Sequence, residues 1–250
     1  MPCGCYRAFF TTGVYDCTKH TLCSGRISAI FGEDLRYDRR RVGLGWVNTD
    51  DHNDFMEYIE DQRSKGRHVF SIACDDHFGF GLLTMDDFGT TQGVAWDSDM
   101  STVQEWFDAG YHITACGARN SQFYYIMTRG AMGYDGKKQT CTLKDSWGEA
   151  EDYIRQQWEK GYVLTGICYS TGKKQYFLVM TQSSEGQTQS HNWGTTSQAV
   201  DFNWVEEECR MGREPTIIFH DPSDNLVLVV TTSDRNRSGS SIRPKHGLII

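Results

Sequence analysis

Proline is scarce in this chain of 250 residues, which has four in all, and that excludes a Pro-rich linker or stalk. No apolar run approaches the roughly 18–20 residues that a membrane-crossing helix needs, so insertion into a membrane is not expected. The first ten residues, MPCGCYRAFF, lack a basic segment followed by an apolar core, so no secretory leader is expected. A block of positive charge is missing as well. The formal net charge is −8, and the densest cationic run, Arg36 to Arg41, is flanked by Glu33, Asp34 and Asp50. Nucleic-acid binding draws on counterion release by a basic footprint, so no nucleic-acid partner is expected.

Paired C-x2-C knuckles are also lacking. Cys3, Cys5, Cys17 and Cys23 follow another spacing, so no structural zinc site is expected. Nine cysteines is an odd number, and Cys74, Cys116, Cys141 and Cys168 lie among apolar strand residues. They read as reduced, buried thiols of a cytoplasmic protein rather than a disulfide framework.

What the sequence does have is internal repetition, which decides the fold more than any single motif. A glycine that closes a helical stretch and opens a strand recurs at Gly66, Gly110, Gly161 and Gly212, at intervals of 44, 51 and 51 residues. Glycine just past a helix end supplies a left-handed cap without a Cβ clash. Before each marker lies an amphipathic run. The clearest has Trp147, Ala150, Tyr153, Ile154 and Trp158 at three- and four-residue steps, with Asp145 or Ser146 as N-cap. After each marker come two apolar strand-like runs, such as HITACGA and QFYYIMT, joined by short polar turns. A third, more polar run follows (TTQGVAW, KKQTCTLK, QSHNWGT and SGSSIRPK), which suits a half-solvated edge strand.

The expected unit is therefore a helix plus three antiparallel strands. Its copies span 51–97, 98–145, 146–197 and 198–250, and 1–50 is a partial or degenerate copy. Residues 6–23 align with 124–143, and 24–50 fit least well. One unit cannot bury both its helix stripe and its sheet, so neighbours must cover it. The small residues Ser71, Ala115 and Gly166, at equivalent first-strand places, would let inner strands crowd an axis. The expected fold is a single domain, a closed pseudo-fivefold α/β toroid of β-propeller-like form, with an open α/β solenoid as the alternative.

The runs EWFDAGYHITACGA, QFYYIMTRGAMGY and RQQWEKGYVLTGICY resemble the repeated C-terminal module of plant casein-kinase-I-like protein kinases, a module of unassigned function. The resemblance covers roughly residues 51–235. It implies an appendage and not phosphotransfer. The sequence has no Gly-rich nucleotide loop, no H-R-D-type catalytic loop and no D-F-G.

Two groups of residues are candidates for chemistry or recognition. In the first, Cys74 with His77, and His220 with Asp221, would give a nucleophilic centre of the guanidine-modifying type if a thiolate and a base converged. Asp75, Asp76 and His77, or Asp86 and Asp87, are poor chelators, because adjacent residues on a strand point to opposite sides. No metal and no cofactor is expected. The second group is the glycine-rich hairpin tip from Arg129 to Gly136, where Arg129, Met132, Tyr134 and Asp135 would form a contact surface on a rigid scaffold. The reading is a non-catalytic interaction or structural module. It would be cytoplasmic or part of an intracellular assembly, cytoskeletal or ciliary, and would bind a protein partner. An enzyme with a Cys/His/acid centre is the alternative, and a glycan- or small-ligand-binding toroid the third.

Overall fold

A computed structural model describes residues 42–47, 52–75, 79–86, 88–97, 100–131, 133–184, 187–195, 202–221 and 226–233. Four stretches of chain repeat one pattern: strand, helix, strand, strand. The first comprises β1 (Val42–Val47), α1 (His52–Ser64), β2 (Arg67–Asp75) and β3 (Gly79–Asp86). The second comprises β4 (Thr91–Asp97), α2 (Val103–Asp108), β5 (Tyr111–Arg119) and β6 (Gln122–Arg129). The third is β7 (Gln139–Lys144), α3 (Trp147–Glu159), β8 (Tyr162–Ser170) and β9 (Gln175–Gln182). The fourth is β10 (Thr188–Thr195), α4 (Phe202–Arg210), β11 (Arg213–Asp221) and β12 (Leu226–Ser233).

Each stretch forms its own three-stranded antiparallel sheet with its last strand in the middle, in the orders β1-β3-β2, β4-β6-β5, β7-β9-β8 and β10-β12-β11. The two outer strands of a sheet run parallel across the middle one, so they need a crossover connection, and the helix supplies it. The glycines expected to end the helices do so. Gly66, Gly110, Gly161 and Gly212 have φ between +74° and +81°, a region where any other residue would be strained. The Ser146 side chain caps α3 by accepting a hydrogen bond from the Glu149 amide at 3.3 Å.

The sheets stack face to face, and the core is a series of layers between them. Phe55 and Ile59 of α1 join Val69, Ile72 and Leu82 of the first sheet against Tyr124 and Ile126 of the second. The opposite face of β6, with Phe123, Tyr125 and Met127, meets Phe177 and Val179 of the third. Tyr176, Leu178 and Met180 then meet Phe219, Leu228 and Val230 of the fourth, under Trp147 and Ile154 of α3. Among the described residues, the outer face of the fourth sheet meets α4, through Val205 and Val229. The middle strands β6 and β9 are thus buried on both faces, which explains their nearly continuous apolar sequence.

The closed pseudo-fivefold toroid of helix-plus-three-strand units does not describe this molecule. The described residues form four small sheets, none of them closed, and no core layer combines residues of the first and fourth sheets. The grouping of strands also differs. Three of the polar third runs do not pair with the two strands before them but become β4, β7 and β10, which pair with β6, β9 and β12 of the next sheet, and SGSSIRPK lies outside the described residues. The partial copy at residues 6–23 lies outside the described residues.

One irregularity recurs. In β2, β5, β8 and β11 the register against the middle strand slips by a residue, at Phe70, Thr114, Thr165 and Thr216. A bulge of this kind leaves backbone groups without ladder partners. Ser71, Ala115, Gly166 and Ile217 are the residues immediately after it.

Candidate functional site

Cys74 is buried on β2 in the layer between the first and second sheets. Its Sγ faces Gly117 of β5, where a Cβ would lie only 2.4 Å away. Asp221, the last residue of β11, is fully buried and accepts a hydrogen bond from the Tyr176 hydroxyl in the layer between the third and fourth sheets. The candidate nucleophile and the candidate acid therefore occupy different layers. His220 precedes Asp221 on β11 and its backbone pairs with Val227, whereas His77 lies outside the described residues. Among the described residues no group of three or more His, Cys, Asp or Glu side chains is placed to hold a metal ion. No described helix is long and apolar enough to cross a membrane.

The stretch from Arg129 to Gly136 is not a hairpin tip but a link from β6 to β7 of the next sheet, and it is held at its base. The carbonyl of Arg129 accepts from the Thr90 amide at 2.9 Å and from its hydroxyl at 3.0 Å. Gly130 turns with φ +62° against Thr90, and Ala131 is buried. Tyr134 leans on the His112 ring, 5.6 Å between centroids, while His112 Nε2 donates to the Lys137 carbonyl at 2.8 Å. The side chains of Arg129 and Asp135 are exposed. Met132 lies outside the described residues. The link thus presents two opposite charges from an anchored backbone.

The recurring polar residues do something that the sequence reading missed. Gln92 of β4 reaches back to the bulge of the preceding sheet. Its Oε1 accepts from the Val69 amide at 2.8 Å, and its Nε2 donates to the Val69 carbonyl at 2.6 Å and to Thr128 Oγ1 at 2.8 Å. Gln139 repeats this on Ile113, at 2.7 and 3.0 Å, and on Thr181 at 2.9 Å. Gln189 repeats it on Leu164, at 2.6 and 2.8 Å, and on Thr232 at 3.1 Å.

In the second, third and fourth sheets the middle-strand threonine in turn bonds the bulge threonine of its own sheet. These pairs are Thr114 with Thr128, Thr165 with Thr181 and Thr216 with Thr232, at 2.6 to 2.8 Å. At all three junctions, then, a glutamine supplies the partners that the bulge removed from the ladder. The signal was present in the sequence: Gln92, Gln139 and Gln189 each stand four residues before Trp96, Leu143 or Trp193.

Aromatic and charged contacts complete the junctions. His52 at the start of α1 stacks on Trp96 at 5.2 Å and hydrogen-bonds the Tyr124 hydroxyl at 3.0 Å. Burial pushes the Tyr124 phenol up to about 12, so it is protonated at any physiological pH. Tyr125 is raised further by burial and by donating to Asp97 at 2.5 Å. Between the third and fourth sheets, Glu151 Oε1 accepts from His191 Nε2 at 3.0 Å and from Arg155 at 2.7 Å. Trp158 Nε1 donates to Gln189 Oε1 at 3.0 Å. Burial alone would raise the Glu151 carboxyl, but the Arg155 and His191 hydrogen bonds outweigh it and hold it below the usual range.

No protein-family model matches this sequence, and no curated protein matches it.

Proposed function

We propose that the chain is a non-catalytic interaction or scaffold module that presents its inter-sheet links to a protein partner in a larger intracellular assembly. The observation that carries this reading is the use made of the repeated polar side chains. Gln92, Gln139 and Gln189, with their threonines, are occupied in joining one sheet to the next. Groups held in this way give rigidity and leave recognition to the loops. The resemblance to an appendage of plant casein-kinase-I-like kinases points the same way. Arg129 and Asp135 are exposed charges on a link whose base is hydrogen-bonded to Thr90, and they suit a partner that offers an acid and a base at matching distance.

The test is affinity capture from native extract with the tagged chain, alongside the double variant R129E/D135R, with quantification by mass spectrometry. A direct partner bound through this link should fall about tenfold in the variant, the equivalent of ~1.4 kcal/mol. Recovery of no stable partner by the unmodified chain would reject the reading, and equal recovery by both would reject the link as the contact.

A further inference from the structure

The layer between the second and third sheets differs from its neighbours in containing sulfur on both sides. Cys116 of β5 and Cys168 of β8 both belong to it and are buried, and both are free thiols. They sit on strands of different sheets, which share no ladder. The Cys116 Sγ nevertheless reaches β8 beside Gly166, which lies two residues from Cys168 and so on the same face of the strand. Gly166 allows the approach: a Cβ at that position of β8 would stand 3.0 Å from Cys116 Sγ, tighter than ordinary packing. Hydrocarbon would fill this space equally well, whereas a thiol pair adds a reaction that hydrocarbon lacks.

We propose that Cys116 and Cys168 form a redox pair, which a peroxide converts into a disulfide joining the second sheet to the third. Hydrogen peroxide oxidises one thiol to a sulfenic acid and is itself reduced to water. The second thiol then attacks that sulfur, the S–O bond breaks, a second water leaves, and the S–S bond forms. Per disulfide, two thiols and one peroxide give two waters. The reaction is slow in the closed fold, because burial raises the Cys168 thiol well above its ordinary value and the thiolate is the reactive form. Local opening of the layer sets its rate. Cys141 lies half-buried in the same layer, and burial, with Cys116 nearby, pushes it up to about 12, so it is the competing partner.

The full chain is incubated with hydrogen peroxide, its remaining thiols are blocked, and the digest is mapped by mass spectrometry with and without reductant. The expected result is a Cys116–Cys168 cross-linked peptide, 2 Da lighter than the two separate peptides and lost on reduction, together with a higher Tm for the oxidised protein. Mild denaturant should speed its formation. A C168A variant should then show no peroxide-dependent rise in Tm, but the map of the unmodified chain decides the matter even if that variant folds poorly. The proposal is overturned if Cys116 is found linked to Cys141, or if both thiols remain open to alkylation after treatment.

Discussion

At the scale of single residues, the helix-ending glycines and the caps can be tested separately from packing. Gly161 has φ +78° and only the Ser183 hydroxyl near its missing Cβ, at 3.9 Å. Gly161→Ala should therefore cost backbone strain without a clash, about 1–2 kcal/mol, read from chemical denaturation. Glu151 makes a prediction in pH. Its folded carboxyl is held below the unfolded value, so its contribution is present above the unfolded carboxylate range and disappears as pH falls through the folded value. The Tm gap between the wild-type chain and Glu151→Gln should be widest near neutral pH and close as acid takes the solution below the ordinary carboxylate range. A gap independent of pH would mean that the carboxylate charge is not what joins α3 to His191.

Trp147 shows how repeats drift. Its buried Nε1 has no hydrogen-bond partner among the described residues. His52, at the matching place in α1, bonds the Tyr124 hydroxyl, but the position matching Tyr124 in the fourth sheet is Leu228.

At the scale of elements, the glutamine junction is the unit of cohesion. Gln139→Leu leaves the Ile113 amide and carbonyl buried without their partners, and unmade hydrogen bonds of that kind cost about 1–3 kcal/mol each. A loss of roughly 3 kcal/mol is expected for Gln139→Leu, with a smaller loss for Thr181→Val. In a double-mutant cycle the two should couple, because they share one network. Additive losses would show that the glutamine acts on the bulge alone.

This element was only half legible beforehand. Helices and strands could be read because a 3.6-residue stripe and runs such as QFYYIMT are local signals, as were Gly66, Gly110, Gly161 and Gly212. Strand partnership was not legible. Whether TTQGVAW pairs backward or forward depends on where a glutamine side chain finds unpaired backbone, and that backbone lies 23 residues away in sequence. The candidate sites divided similarly. The exposure of Arg129 and Asp135 follows from a glycine-rich link, whereas the separation of Cys74 from Asp221 follows only from the stacking order of the sheets.

At the scale of the whole molecule, the four described sheets differ in how far they are covered, and stability should be graded accordingly. Amide hydrogen exchange read by mass spectrometry should find the slowest amides in β6 and β9, which are covered on both faces. The outer strands β4, β7 and β10 should exchange faster. Uniform protection through the chain would argue against a layered build.

The ends themselves carry a message. By register, Val42 stands where Gln92 stands in the next sheet, and it is paired with Met85 where Gln92 is paired with Thr128. At the other end, Pro215 stands where Val69, Ile113 and Leu164 offer an amide, and proline has none to offer. Among the described residues, the glutamine is therefore missing from the first sheet and the accepting amide from the fourth. A molecule assembled from interchangeable head-to-tail parts would otherwise be free to grow into fibres, one copy docking on another. Here the two substitutions leave the outermost of the four described sheets without the glutamine contact through which one copy could dock head-to-tail on another.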